Sequence, residues 1–310
     1  MRLTTVFSVT TLLLGSASAW NLTDTYQGST FFDGFNFSNI TDPTKGTVQY
    51  VDRATAQSSG LISVKNNVIT MKADDTNVTP NGRPSIRIAS KKTYNSGLFI
   101  LDLTHMPTGC GTWPAYWLVG PKWPNGGEID IIEGVNNQTN NHITLHTSAN
   151  CQMDPTSSNG TGKWLTNNCA VNATGQSPNA GCSVQSSSAT SYGRGFNSAQ
   201  GGVYATQWKD TTGIQVWFFP RRSIPSDITS GHPNPASWGK PTADFPFSKC
   251  SSNHFSNLAI TFDLDFCGVW AGAVYKSQFH CPGTCSDYVI NQPKAFSEAY
   301  WNINSLKVYQ

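Results

Sequence analysis

Short apolar runs separated by turn residues recur along most of the chain. Val, Ile, Thr and aromatic residues fill the runs, and Gly, Asn and Pro separate them, which is typical of β-strands. Because no helical segments alternate with these runs, we expect an all-β fold, a β-jelly-roll sandwich of two antiparallel sheets. The predicted strands cover residues 61–64, 68–71, 85–89, 97–103, 113–119, 128–133, 142–147, 203–208, 214–219, 258–264 and 300–308.

Two long polar segments interrupt this pattern. Residues 151–200 contain three cysteines and few apolar side chains, and residues 223–250 contain five prolines. Loops of this length are uncommon inside a compact domain and are usually functional or specially stabilised. We therefore expect two ordered surface loops, the first of them held by disulfides.

The amino terminus has the pattern of a secretory signal peptide. Arg2 precedes an apolar stretch, and Ala17-Ser18-Ala19 forms a small-residue cleavage site. This predicts a signal peptide over residues 1–19 and a single domain over residues 20–310. No later segment approaches the roughly 18 apolar residues of a membrane span, so we expect a secreted, extracellular protein with no membrane partner.

The eight cysteines predict disulfides. An even count in an exported chain favours four bridges, and the sequence leaves their pairing open. Only Cys281 and Cys285 lie close together, so a four-cysteine metal site is not expected. Seven Asn-x-Ser/Thr sequons also predict glycosylated loops. One of them begins at Asn137, four residues beyond Glu133, where a glycan would have to leave the strand end in a direction away from the candidate site.

The composition indicates a neutral ligand. Charged residues and aromatic residues each make up 12% of the chain, and the formal net charge is only +2. So small a charge disfavours nucleic acid or an anionic membrane as a partner. For a single exported domain we expect a monomer.

The most informative segment runs from Gly127 to Gly134 and reads Gly-Glu-Ile-Asp-Ile-Ile-Glu-Gly. The interleaved isoleucines demand burial, so the acids must project from a packed strand rather than from a solvated loop. Strict alternation places Glu128 and Asp130 on one face and Glu133 on the other. One extra residue, a β-bulge near Ile131 and Ile132, would bring all three acids to one face.

Three acids on one face suit glycosidic bond cleavage. A retaining mechanism needs two carboxyl groups about 5–5.5 Å apart, one as nucleophile and one as acid and then base. Glu128 and Asp130 should raise the proton affinity of Glu133, which keeps it protonated as the acid. The alternatives are a solvated acidic edge and a calcium site. Calcium prefers six to eight oxygen ligands from a polar loop, so the isoleucines argue against metal binding.

The motifs around these acids resemble glycoside hydrolase family 16. They are Gly-Thr-Trp-Pro-Ala-Tyr-Trp at 111–117, Trp-Pro at 123–124, the acidic motif, and Leu-His-Thr at 145–147. The resemblance covers nearly the whole mature chain and is greatest to secreted fungal endo-1,3(4)-β-glucanases of the laminarinase-like branch. It implies a jelly roll with a concave substrate cleft, with Glu128 as nucleophile, Asp130 as assisting acid and Glu133 as acid/base. Some family members have one residue fewer between the last two acids and need no bulge.

Aromatic side chains are candidates for binding sugar rings, whose C–H faces are apolar. Trp117 and Trp123 are the leading platforms, whereas Trp113 fits either core packing or the site. Trp270 lies in a segment that resembles the family, and it is a candidate for stacking from the far side of the cleft. The usual family form has Asp at the position of Val269, so subsite specificity is open.

Two polar residues complete the candidate site. His146 is predicted to hydrogen-bond Asp130 across the sheet, a role that the resemblance supports, although a lone strand histidine is often structural. Arg87 alternates with apolar neighbours. It either donates to sugar hydroxyls in the cleft or lines the outer surface of a sheet, and the cleft is slightly favoured.

The resulting expectation is a secreted, cofactor-free endo-β-glucanase. It would cut internal bonds of 1,3-linked or mixed 1,3/1,4-linked β-glucan with retention, and β-glucan would be its partner. A cell-wall transglycosylase acting on glucan or chitin would use the same acids, because sugar can replace water as the acceptor. A non-catalytic β-glucan-binding protein would not need to keep all three acids.

Overall fold

A computed structural model describes residues 20–310. The predicted signal peptide, residues 1–19, lies outside the described residues. The strands are β1 (Leu22–Gln27), β2 (Phe35–Phe37), β3 (Val48–Tyr50), β4 (Ile62–Lys65), β5 (Val68–Lys72), β6 (Arg83–Ser85), β7 (Arg87–Tyr94), β8 (Gly97–His105), β9 (Thr112–Val119), β10 (Glu128–Glu133), β11 (His142–His146), β12 (Lys163–Trp164), β13 (Cys182–Gln185), β14 (Gly202–Lys209), β15 (Gly213–Pro220), β16 (Ala243–Pro246), β17 (Leu258–Phe266) and β18 (Tyr300–Tyr309). The α-helices are α1 (Arg53–Ser58), α2 (Gly193–Ser198), α3 (Ser226–Thr229) and α4 (Cys285–Asn291). A π-helical turn covers Gly268–Gly272, and 3₁₀ turns cover Gly28–Gly34, Arg221–Ser223, Pro235–Ser237, Ser252–His254 and Pro293–Phe296.

Two large antiparallel sheets form the sandwich. The site sheet, named for the acids on β10, has the strand order β12-β13-β11-β10-β9-β17-β7-β2. The back sheet has the order β16-β15-β14-β8-β18-β5-β4, and β1 also pairs with β18. A separate parallel pair joins β3 to β6. The predicted jelly-roll sandwich is thus confirmed.

Apolar side chains from both sheets meet in one main core. Tyr116 and Phe262 stack within the site sheet at 4.7 Å between ring centroids. Across the sandwich, the centroid of Phe262 lies 5.9 Å from that of Trp301 on the back sheet. Burial of this shared layer removes large apolar areas from water, at roughly 25 cal/mol per Å², and holds the two sheets face to face.

Each predicted strand has a counterpart in the structure, but the predicted strand 85–89 is divided. Residues up to Ser85 pair with β3, and residues from Arg87 pair with β17 and β2. The apolar alternation continues through both parts, so it contains no signal for the change of partner.

Both predicted loops contain short strands that the sequence analysis missed. Strand β13 pairs with β11, and β16 pairs with β15. Each is four residues long and lies towards one end of its sheet. Main-chain hydrogen bonds from a longer neighbour stabilise such strands, so their own side chains carry little strand pattern.

All eight cysteines form disulfides, which confirms the expected four bridges. The bridge between Cys151 and Cys250 joins the two long segments, and the bridge between Cys169 and Cys182 fixes the first segment next to β13. The other two bridges are Cys110–Cys281 and Cys267–Cys285. Among residues 20–310, no helix has both the length and the apolar character needed to cross a bilayer.

The sequon at Asn137 differs from the other six. Its side-chain nitrogen, the atom that would carry a glycan, lies 3.1 Å from Sγ of Cys110 in the disulfide to Cys281. The remaining sequon asparagines are exposed, namely Asn21, Asn36, Asn39, Asn77, Asn159 and Asn172. A glycan at Asn137 would displace this packed disulfide rather than leave the strand end freely.

We therefore predict that Asn137 carries no glycan in the folded, exported protein. Glycopeptide mapping after expression in a eukaryotic host should find the peptide containing Asn137 unmodified, and the exposed sequons serve as internal controls. A glycan on Asn137 together with an intact Cys110–Cys281 bridge would contradict this prediction.

Candidate active site

The acidic strand contains the predicted β-bulge. Asp130 lies opposite Trp117 of β9, but the next paired residue is Ile132, opposite Tyr116, so Ile131 is the extra residue. The pairing with β11 is irregular over the same stretch, between Asp130 and Glu133. Ile129, Ile131 and Ile132 are fully buried in the core. The bulge thus keeps the isoleucines in the core while it turns Glu133 to the face of the other acids, as the parity argument predicted.

Cross-strand register places the candidate residues on one face of the site sheet. Residues directly opposite one another share a face. One such row runs His142, Glu133, Ala115, Asp263 and Arg87 across five neighbouring strands.

The next rows complete this face. Asp130 is opposite Trp117, and Glu128 is opposite His146. The six predicted site residues on strands therefore lie together, and they are Arg87, Trp117, Glu128, Asp130, Glu133 and His146.

His146 lies next to Asp130, but the predicted hydrogen bond between them is not formed, because Oδ2 of Asp130 has no hydrogen-bond partner. Its Nε2 is 3.3 Å from Oδ2 of Asp130, and both side chains are buried. Ligand atoms of Glu128, Asp130 and His146 lie within 4.8 Å of one another, a spacing that a metal ion could also use. Three ligand atoms fall short of the six to eight oxygens that calcium takes, so this arrangement fits carboxylate chemistry better than a calcium site.

Glu133 is held through Trp113. The indole Nε1 of Trp113 donates a hydrogen bond of 2.9 Å to Oε1 of Glu133. Trp113 also packs edge-on against Trp270 at 5.5 Å, and Trp270 stacks on His142 at 5.9 Å between ring centroids. Trp113, which the sequence left ambiguous, thus belongs to the site, and it brings Trp270 to the edge of the acidic cluster.

Burial raises the pKa values of the acids. The pKa of Glu128 rises from its ordinary 4.5 to about 8, with a further contribution from Asp130, and that of Glu133 rises to about 7. Burial and the nearby Glu133 also raise the pKa of Asp130. The sequence argument predicted the direction for Glu133 but attributed it to like charges, whereas loss of hydration is the larger cause.

Asp263 is a site residue that the sequence analysis missed. Its carboxylate accepts a 3.2 Å hydrogen bond from Nε1 of Trp117 and lies 3.4 Å from Nη1 of Arg87. The Arg87 guanidinium also lies 5.1 Å from the centroid of Trp117. Asp263 therefore orients both predicted cleft residues. In the predicted strand 258–264, alternation places Asp263 on the face opposite its apolar neighbours, as it does for Arg87 in its own strand. Only the strand order reveals that these two residues are neighbours on one face of the sheet.

Trp123 lies outside the strands, in the connection between β9 and β10. Its side chain is 46% exposed, and it is close enough to Glu128 to offset a small part of the rise in the pKa of Glu128 that burial causes. An exposed indole beside the acids suits a sugar platform better than core packing. Val269, next to Trp270, is also exposed.

Asn141 is a second residue that the sequence analysis missed. Its side-chain Oδ1 accepts a hydrogen bond of 3.0 Å from the Glu133 N–H, and its Nδ2 donates one of 2.7 Å to the Ile131 carbonyl. These two backbone groups lie at the bulge, on either side of Ile132. An Asn before a predicted strand is usually read as a turn residue, so its sequence position alone does not point to this role.

The raised carboxyl pKa values predict a pH-dependent stability. A group whose pKa is higher in the folded chain binds more protons there, so the free energy of unfolding falls as pH rises from about 4.5 to about 8. Glu128→Gln removes this titration. We expect it to raise the free energy of unfolding at pH 8 by at least about 1 kcal/mol, or about 2–4 °C in Tm, with a smaller gain at pH 4.5.

Thermal unfolding of wild type and variant across this pH range measures the effect. Asp210→Asn, a change at an exposed acid, is the matched control and should leave the profile unchanged. A variant that is no more stable than wild type at pH 8 would show that Glu128 is not held in a desolvated site.

Known proteins are similar to this chain in sequence and in fold. Residues 35–309 match the family model described as XgeA-like, catalytic GH16 domain. The chain is 53% identical over 295 residues to a probable glycosidase of Schizosaccharomyces pombe, which covers 95% of this chain and 70% of that protein. It is 47% identical over 304 residues to an endo-1,3(4)-beta-glucanase of Arthroderma benhamiae, which covers 96% of this chain and 66% of that protein. The chain thus spans about two thirds of the length of these relatives.

Solved structures similar to this chain come from the same family as the sequence relatives. Laminarinase 16A of Phanerochaete chrysosporium superposes with a TM-score of 0.90 at 47% identity, over 94% of this chain and 100% of that one, and it was solved with 6-O-glucosyl-laminaritriose in both donor and acceptor sites. An elongating β-1,3-glucosyltransferase of the same family has a TM-score of 0.88 at 41% identity, over the same shares of the two chains. With its jelly roll and its bulged acidic strand, the chain belongs to glycoside hydrolase family 16.

Proposed function

We propose that the protein is a retaining endo-β-glucanase that cleaves internal bonds of 1,3-linked and mixed 1,3/1,4-linked β-glucans. The bulge carries this proposal, because it brings Glu128, Asp130 and Glu133 to one sheet face beside exposed and half-buried tryptophans. The similarity to a protein named endo-1,3(4)-beta-glucanase and to a laminarinase with bound β-glucan supports the substrate class.

In the first step, Glu128 attacks the anomeric carbon of the sugar while Glu133 gives its proton to the glycosidic oxygen. The bond from the anomeric carbon to that oxygen breaks, a new ester bond to Glu128 forms, and the shortened chain leaves as an alcohol. The hydrogen bond from Trp113 holds the Glu133 carboxyl in place for this transfer.

In the second step, the proton affinity of Glu133 falls because esterified Glu128 no longer carries a negative charge. Glu133 then takes a proton from water, whose oxygen attacks the anomeric carbon and releases Glu128 as a carboxylate. Two inversions give net retention. Asp130 stays beside Glu128, and His146 of the neighbouring strand lies 3.3 Å from Asp130.

The roles rest on position in the motif rather than on the order of the two pKa values. Glu128 must lose its proton to attack, although burial gives it the higher pKa in the free cleft. The two carboxyls titrate as an interacting group, in which a proton held by one favours ionisation of the other. A cluster with one proton on Glu133 and none on Glu128 is the state that reacts.

Export of the protein is part of this proposal. Four disulfides are typical of proteins that fold in an oxidising compartment, and six of the seven sequons lie on the surface. Both features agree with the signal peptide that the sequence predicts. A polysaccharide too large to enter a cell would then be cut outside it.

A transglycosylase is the second candidate. The structural similarity to an elongating β-1,3-glucosyltransferase favours it, because sugar bound in an acceptor site can replace water in the second step. A reducing-end release assay on laminarin, followed by lichenan, tests hydrolysis. Labelled laminari-oligosaccharides distinguish the two activities, since hydrolysis only shortens them whereas transfer also produces longer chains.

Glu133→Ala should lower kcat/KM on laminarin by about 100- to 10,000-fold, because an alkoxide leaving group needs the proton. A 2,4-dinitrophenyl laminari-oligosaccharide has a leaving group that needs none, so its bond cleavage should be largely spared. Asp210→Asn is the matched control. Equal losses on both substrates would contradict the acid role of Glu133.

Glu128→Ala should be almost inactive and should regain turnover when sodium azide is added. Azide would enter the space of the missing carboxylate and give a glycosyl azide of inverted configuration, which NMR identifies by its anomeric coupling. A product of retained configuration would assign the nucleophile to another residue.

A further inference from the structure

We propose that Asn141 is a positioning residue for Glu133, because it bridges two backbone groups at the bulge, one on either side of Ile132. This inference rests on the proposed function, in which Glu133 is the acid/base. It concerns a residue that does not touch substrate and acts only through the main chain of β10.

The bulge creates a need for such a bridge. An extra residue in one strand interrupts the ladder, and buried N–H and C=O groups left without partners destabilise the fold. At this bulge, the Ile131 carbonyl and the Glu133 N–H would be the two groups without hydrogen-bond partners. One planar amide has a donor and an acceptor at its tip, so the Asn141 side chain satisfies both groups at once.

Asn141 is itself fixed in place. It is fully buried, its N–H donates to Oγ of Ser191 at 3.0 Å, and its carbonyl accepts from the N–H of Ser186 at 2.8 Å. Ser191 is anchored in turn, because its hydroxyl donates to the Ser188 carbonyl at 2.7 Å. The last part of the long segment 151–200 therefore holds Asn141 against the bulge, which gives this part of the loop a function.

The bridge determines where Glu133 points. Asn141 holds the backbone nitrogen of Glu133, and Trp113 holds the end of its side chain. Without Asn141, the strand could relax towards a regular register, which turns alternate side chains to the opposite face. A shift of about 1 Å at an acid/base can cost about 100-fold in rate. The bridge thus fixes the acid/base without contacting the sugar.

The test compares Asn141→Ala with Asn140→Ala in the full chain. Asn140 is a matched control, because its amide binds the Ser186 and Ser188 carbonyls of the same loop but has no hydrogen bond to the bulge. We expect Asn141→Ala to lower kcat/KM on laminarin by about 10- to 100-fold and on the 2,4-dinitrophenyl substrate by less than about 3-fold. Asn140→Ala should change the ratio of the two activities by less than about 2-fold.

A double variant separates positioning from general loosening. Once Glu133 is replaced by Ala, Asn141 has no acid to place, so adding Asn141→Ala should cause little further loss on laminarin. Equal losses on both substrates, a multiplicative loss in the double variant, or the same selective loss in Asn140→Ala would overturn the proposal.

A second variant covers a failure of Asn141→Ala to fold. Asn141→Leu keeps nearly the same shape but lacks both the acceptor for the Glu133 N–H and the donor to the Ile131 carbonyl. It should show the same selective loss on laminarin, and an unchanged ratio of activities would overturn the proposal. If Glu133→Ala shows no dependence on the leaving group, the proposed function fails first. If only the Asn141 variants lack selectivity, the inference fails and the proposed function stands.

Discussion

The structure depends on one constraint, which is that a single short strand must serve both the core and the site. Its isoleucines fill the space between two sheets, and its acids project from the opposite face. A regular strand of this sequence would satisfy only one of these demands, because it would send Glu133 to the wrong side. The extra residue at Ile131 resolves the conflict. The Asn141 side chain binds the backbone on either side of Ile132, and the indole of Trp113 holds the Glu133 carboxyl.

The second constraint is electrostatic. Acids placed on a packed strand lose hydration, and this loss raises their pKa values more than their mutual repulsion does. The sheet therefore opposes ionisation of the groups that the chemistry uses. Asp263 lies on the same face, and burial raises its pKa as well. Arg87 and Trp117 lie beside it and partly offset this rise. The shared core and the four disulfides stabilise the fold around the acidic cluster.

Much of this could be predicted from the sequence. Period-two alternation identified the strands, and the parity of Glu128, Asp130 and Glu133 located the bulge before any coordinates. What alternation does not encode is which strands become neighbours. For this reason Asp263 was missed as the partner of Arg87, and Asn141 was missed as the bridge across the bulge. Short strands such as Cys182–Gln185 were missed because their stability comes from a neighbour's hydrogen bonds. The disulfide pairing likewise depends on contacts between distant segments.

The most direct measurement is to trap the glycosyl-enzyme with a 2-deoxy-2-fluoro laminari-oligosaccharide that has a 2,4-dinitrophenyl leaving group. The fluorine slows both steps, and the activated leaving group preserves the first, so the covalent intermediate accumulates. Intact mass spectrometry followed by peptide mapping then locates the sugar. If the bulged strand places the acids as argued, the label is found on Glu128 and disappears in Glu128→Gln. A label on Glu133, or no covalent label on an active enzyme, would contradict the account.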